Sequence, residues 1–216
     1  MPMPRHIAEP KPSCAKCPRL VAFRRKNEAA YPDYFNGASA SFGPDSASAL
    51  VIGLAPGLHG ANKTGRPFTG DASGDMLYSC MAEAGLTTGT FENDPKDGFD
   101  LRGIMITNAV RCVPPENKPT AAEVKKCQPY LVGRMKALPN LKALFALGKI
   151  AHDATLRALG FRLADYPFAH GAVHRLPNGL TMVDSYHCSR YNVNTKRLTR
   201  EMFLDALAAL KSASGL

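Results

Sequence analysis

Four short apolar runs, each followed further along by a helical pattern, constrain this chain more than any other feature. Residues 49–54 are apolar and stop at Ala55-Pro56-Gly57. Residues 104–110 are apolar and β-branched, and runs at 141–147 and 180–185 are of the same kind. Such runs read as buried strands. Between them lie helices: 71–84, closed by Gly85; a segment capped by Thr120 through Glu123 and running to about Leu138; and 148–159, closed by Gly160. A last helix is expected over about 195–212, where Leu198, Met202, Phe203, Ala206, Leu207 and Leu210 form an apolar stripe. Strands alternating with helices predict an α/β fold, a three-layer α/β/α sandwich around a mostly parallel four-stranded sheet. The 216 residues suit one domain, with 1–12 as a Pro-rich, polar and flexible arm.

In such a sheet ligands bind beyond the carboxyl ends of the strands. Three polar segments fall there: 55–70, 108–118 and 187–196.

Charge narrows the partner. The formal net charge is +9, and a basic excess favours a polyanion, nucleic acid above all, although solubility alone is the plainer explanation. No apolar run is long enough to span a membrane, and the N-terminus lacks the apolar core of a signal peptide, so a cytoplasmic protein is expected. No heptad repeat asks for a second copy, and a monomer is expected.

In a reducing compartment six cysteines point to metal rather than disulfides. Cys14 and Cys17 form a CxxC pair, and Cys112 with Cys127 would complete a four-thiolate set. Spacing alone leaves zinc and iron–sulfur level. The group would tie the N-terminal arm to the segment after the second strand, whose Arg111, Lys118, Lys125 and Lys126 would help shape a DNA-facing surface. Cys80 reads as a buried apolar residue, and Cys188 stands apart from the set.

The run from Gly53 to Asp71, with Ala55-Pro56-Gly57 near its start and Gly65-Arg66-Pro67-Phe68-Thr69-Gly70-Asp71 at its end, resembles the first motif of the family 5, or type B, uracil-DNA glycosylases. Asn108 after the second strand resembles the second motif, and His187-Cys188-Ser189-Arg190-Tyr191-Asn192 the third. The likeness extends over nearly the whole chain. It implies an enzyme of base excision repair that flips uracil out of DNA and hydrolyses its glycosidic bond, leaving an abasic site. It implies activity on other deaminated bases such as hypoxanthine, and a 4Fe-4S cluster on Cys14, Cys17, Cys112 and Cys127.

The chemistry assigns roles within these motifs. A flipped base must be gripped by face and edge, and charge must be stabilised as the bond breaks. Phe68 is the expected stacking surface and Asn108 the edge reader. His187 would donate to the uracil oxygen that gathers charge. Ala55 and Gly57 line the substrate side of the first loop. Relatives in other families place an acid or amide early in this motif, where Leu54 and Ala55 stand here. Water would then be held by backbone of the loop around Gly57, with Asn62 or His59 assisting, while Asp71 would offset charge on the sugar or cap a helix. Arg190 or Tyr191 would fill the gap left by the base, and Ser189, Lys196, Arg197 and Arg200 would meet phosphates. Cys188 replaces the usual Pro, and Tyr191 a common Gln. Cys188 is no nucleophile on this reading, since neighbours on an extended chain point to opposite sides. Two rivals are a nucleotide-binding enzyme using 53–60 as a phosphate loop and a metal-stabilised DNA-binding module without catalysis.

Overall fold

A computed structural model describes residues 9–216. All four expected strands form: β1 (Ala49–Gly53), then β4 (Ile104–Asn108), β5 (Ala143–Leu147) and β7 (Thr181–Ser185). A small hairpin, β2 (Thr87–Thr88) and β3 (Asp100–Leu101), precedes β4. The sheet has a fifth member. Strand β6 (Val173–Arg175) pairs antiparallel with β7, giving the order β4-β1-β5-β7-β6 with the other neighbours parallel. The four-stranded expectation is corrected to five. Only three residues long and poorly buried, β6 carries no apolar run to reveal it.

Alternation along the strands fills both faces, which a parallel sheet requires. Val51, Ile106, Phe145 and Val183 pack on α3 (Ala72–Glu83) and α7 (Arg200–Ser214) through Leu77, Tyr78, Phe203 and Leu207. Leu50, Ile52, Met105, Leu144 and Met182 face α4 (Ala121–Ala137) and α5 (Lys149–Leu159) through Leu131, Met135, Ala151 and Ala154. Each fully buried Val, Leu, Ile, Phe or Met among them contributes about 1.5–3 kcal/mol. The capping box between Thr120 and Glu123 is present at the start of α4.

Three helices depart from expectation. Helix α1 (Pro18–Ala30) was not foreseen, because only Leu20, Arg24 and Asn27 are buried on it and no apolar stripe marks it. The four-residue α2 (Ala61–Thr64) lies inside the first glycine-rich loop. The last helix does not run from 195. A short α6 (Arg190–Asn194) ends first, Lys196 takes a left-handed φ of 56°, and α7 restarts at Arg200 with Thr199 as cap.

Of the expected flexible arm, residues 1–8 lie outside the described residues. Glu9–Pro12 is not an arm. Glu9 pairs with both Arg111 and Arg134, and the Pro12 carbonyl accepts from Ala38 N and Arg24 Nη1.

Candidate active site and cysteine site

The parallel register places Gly53 beside Asn108 and Leu147 beside Ser185, so β1, β4, β5 and β7 end together. Just beyond these ends lies a small cavity of about 40 Å³, partly open to solvent. Phe68, Asn108, His187, Asp71, Ala55 and Gly57 line it, together with Ala61 and Ser73.

Gly53 makes the floor possible. A Cβ there would collide with the Asn108 amide oxygen and come within 2.8 Å of the Phe68 ring. Phe68 itself has a left-handed φ of 53°, a conformation that disfavours side chains and in which strain collects at functional sites. Its neighbours enforce it. Thr64 Oγ1 donates to the carbonyls of Arg66 and Thr69, Tyr78 OH donates to the Pro67 carbonyl at 2.6 Å, and Arg66 Nε donates to Thr69 Oγ1 at 2.8 Å. The Phe68 ring is buried and lies 6.0 Å from the His187 ring, centroid to centroid, with the planes 29° apart.

His187 follows β7. Its carbonyl accepts from Asn192 Nδ2 at 2.8 Å, which closes the turn into α6. Burial pushes the imidazole below its ordinary range, and the Asp71 carboxylate pushes back in part. The ring is therefore neutral at neutral pH, with one N–H to give.

Asp71 divides its two oxygens. Oδ1 accepts from Ser73 N and Gly74 N and caps α3. Oδ2 sits 3.2 Å from where a Cβ on Gly57 would be, and a side chain on Gly60 would collide with it. The glycine-rich loop is thus filled by a carboxylate, which repels phosphate and removes the phosphate-loop reading. Cys188 is fully buried, donates toward the Ser73 carbonyl at 3.4 Å, and has its thiol pushed far up by burial, so it stays protonated.

Two expected catalytic residues lie elsewhere. Asn62 is buried, but its Nδ2 donates to Asn36 Oδ1 at 2.9 Å, fastening the preceding loop. His59 is exposed, with Nδ1 3.1 Å from Tyr34 OH and its ring edge-on to Tyr31 and Tyr34. Neither lines the cavity.

Beyond His187, Ser189 caps α6 by accepting from Asn192 N. Arg190, Lys196 and Arg197 are exposed, and Tyr191 is 71 % exposed. The Arg197 guanidinium lies 4.7 Å over the Tyr186 ring. Arg200 is not a free phosphate contact, since it pairs with Glu83 and donates to Ser79 Oγ on α3. Arg111 does not face DNA either, being 1 % exposed. Sequence reasoning missed Ser73, which no pattern marks. It also gave no role to Asn192, although the third motif contains it.

Cys14, Cys17, Cys112 and Cys127 line a second, smaller cavity of about 20 Å³, walled by Leu20, Val21, Val110 and Tyr130. Cys17 is the N-cap of α1, and Arg19 two residues on pairs with Glu123 of α4 at 2.7 Å, which brings the CxxC pair to Cys127. Burial, then the neighbouring Cys127 and Cys14, push the Cys112 thiol up to about 12. Four thiolates cannot gather there without a cation. The surroundings are already set for the resulting anion. Arg111 N donates to Cys127 Sγ at 3.4 Å, and Arg111 Nε and Nη2 are buried with no partner among the described residues. This donor set fits a thiolate-bound metal group.

The Uracil DNA glycosylase superfamily model matches residues 40–211. Three relatives carry the name type-5 uracil-DNA glycosylase. The Thermus thermophilus protein is 46% identical over 209 residues, covering 94% of this chain and 95% of its own. Those of Pyrobaculum aerophilum and Mycobacterium leprae are 39% and 38% identical, each covering 94% of this chain and 90% and 92% of their own. With the cavity at the ends of a parallel sheet and the four-cysteine site, these matches identify the chain as a member of the uracil DNA glycosylase superfamily, among its type-5 enzymes.

Proposed function

We propose that the cavity between Phe68, Asn108 and His187 receives a uracil flipped out of DNA, and that the enzyme hydrolyses its N-glycosidic bond in base excision repair. One observation carries this reading: an aromatic face, an amide, a neutral imidazole and a carboxylate share one small cavity. Phe68 stacks on the base. Asn108 offers both a donor and an acceptor to its edge. His187 donates to the uracil oxygen that becomes negative as the bond breaks, an interaction worth about 10²–10³ in rate. Asp71 Oδ2 faces the sugar side, where it offsets the developing positive charge and orients the water, the part that Asn62 and His59 are not placed to play. Among the described residues lining the cavity there is no lysine to form a Schiff base, and the reaction ends at an abasic site.

Tyr191, exposed just beyond His187, fills the gap in the duplex, and Arg190, Lys196 and Arg197 meet the backbone with Ser189 at the helix start. Cys14, Cys17, Cys112 and Cys127 hold a 4Fe-4S cluster. When bound, the cluster supplies a structural cross-link between α1, α4 and the segment after β4. The enzyme acts as a single-domain monomer in the cytoplasm. No helix among the described residues is long and apolar enough to cross a membrane.

Labelled duplexes carrying one uracil, one hypoxanthine or only normal bases, treated with enzyme and then alkali, test this. Strand scission at uracil is expected, with scission at hypoxanthine if the substrate range is broad. No scission at uracil by cluster-loaded protein would overturn the reading.

A further inference from the structure

Apart from the cavity residues, Asp184 on β7 centres a second polar cluster that uracil excision does not use. Asp184 is fully buried. One of its oxygens lies 2.8 Å from His152 Nδ1 on α5, and the other 3.0 Å from His174 Nε2 on β6. The three ligand atoms all lie within 4.8 Å of one another. The other nitrogen of His152, Nε2, lies 2.9 Å from the Tyr166 carbonyl.

Hydrogen-bond inventory makes this arrangement incomplete. A carbonyl oxygen only accepts, and so does an ionised carboxylate. A neutral imidazole carries one N–H. Placed on Nε2 of His152 it satisfies Tyr166, and the Nδ1 lone pair then looks straight at a carboxylate oxygen. A cation has to lie between them, either an extra proton or a metal ion.

We propose that His152 Nδ1, His174 Nε2 and an Asp184 oxygen bind a divalent transition metal, with zinc the best match to the ligands. Three features favour metal over proton. Two imidazoles and a carboxylate converge from three separate elements, the ligand types zinc takes. The 2.8 Å contact from His152 Nδ1 to one Asp184 oxygen is close to the edge of a zinc tetrahedron, about 3.3 Å for bonds of about 2.0 Å, and the second oxygen lies 3.0 Å from His174 Nε2. The Nε2–H of His152 bonded to a backbone carbonyl is the outer contact that metal-bound histidines almost always make. His174 is partly exposed, which leaves the fourth position to water. The ion would fasten the three-residue edge strand β6 to β7 and α5, where the ladder alone is short.

Protein with its cysteine site loaded is dialysed against Zn²⁺ alone, and zinc and iron per chain are measured. One zinc per wild-type chain is expected, none in His174→Gln, and a rise in Tm with Zn²⁺ for the wild type only. The partly exposed position tolerates this change and keeps a polar contact to Asp184. Zinc taken equally by both proteins would overturn the proposal. So would absence of zinc from the wild type at millimolar concentration, with ¹⁵N shifts of His152 showing an imidazolium. Should His174→Gln fail to fold, Co²⁺ added to the wild type decides. Ligand-field bands without thiolate charge transfer in the difference spectrum place the ion on the histidines; thiolate charge transfer places it on cysteines and defeats the assignment.

Discussion

Arg66 and Asp97 meet through two parallel hydrogen bonds, Nη1 to Oδ1 and Nη2 to Oδ2, each 2.8 Å long. Both side chains are buried, and the guanidinium is also flanked by the rings of Phe42, Phe91 and Phe99. Arg66 stands two residues before Phe68 and holds Thr69 on its far side. The pair therefore fixes the loop that aims the Phe68 ring into the cavity. Asp97→Asn leaves a buried cation without its partner and should destabilise the protein by about 3–5 kcal/mol. The Arg66 guanidinium, with help from the backbone N–H groups of Glu92 and Phe99, holds the Asp97 carboxyl far below the usual carboxylate range. A depressed folded pKa means that the stabilisation is complete above the unfolded value of 3.8 and is lost as pH falls through and below it. Urea unfolding should show the variant's deficit at neutral pH shrinking below pH 3.8. A deficit that is constant with pH would contradict the pair's role.

Phe68 inverts a usual rule. Its left-handed backbone costs a residue with a side chain roughly 1–2 kcal/mol. Phe68→Ala loses the ring and keeps that cost, whereas Phe68→Gly loses both. Thermal unfolding should find the glycine variant at least as stable as the alanine variant, the reverse of the order at most positions. Both should lose roughly 5- to 150-fold in kcat/KM on uracil duplexes, the equivalent of about 1–3 kcal/mol of base stacking. Equal activity in Phe68→Ala and wild type would remove Phe68 from base binding.

Asp71 serves two ends, and Asn separates them. An asparagine caps a helix as well as an aspartate does, so Asp71→Asn should change stability by only a few tenths of a kcal/mol. It removes the carboxylate charge proposed to face the sugar, and single-turnover cleavage should slow about 10²- to 10³-fold with little change in DNA affinity. The same change has a spectroscopic sign. Asp71 now raises the His187 pKa against burial, which lowers it below 6.5. NMR titration of His187 should move further down in Asp71→Asn. Because the folded pKa is already depressed, His187 in either protein costs stability only as pH falls through 6.5 toward that lower value.

The sequence displays the frame of this site more clearly than its finer contacts. Buried strands announce themselves by composition, and the residues just after β1, β4 and β7 could be placed at one end of the sheet from alternation alone. Asp71, Asn108 and His187 were singled out by the motif resemblance, and their chemistry suggested what each could do. Asn62 and His59 were misread because proximity in sequence to Gly57 does not set direction. The single turn of α2 buries Asn62 toward Asn36 and leaves His59 on the tyrosines outside. Strand β6 and helix α1 escaped for a different reason: neither buries enough apolar surface to leave a period. Arg66 and Asp97 are 31 positions apart, and no local pattern links them.

Arg111 connects the cysteine site to the same strand end, since it follows Asn108 by three residues. Its guanidinium shares Glu9 with Arg134, which has Asp45 as a second partner, and two of its nitrogens lack a partner among the described residues. An anionic thiolate-bound cluster would supply the missing charge. The effect of Arg111→Met should then change sign with the cluster. In iron-free protein, an apolar side chain of similar length replaces a poorly compensated buried charge, and stability should hold or rise. In cluster-loaded protein the same substitution removes the counter-charge, and the brown colour should bleach faster on exposure to chelator and oxidant than in wild type. Stability by urea unfolding in the iron-free state and bleaching rate in the loaded state give the two signs. Loss of stability in the iron-free variant together with an unchanged bleaching rate would show that Arg111 serves Glu9 alone.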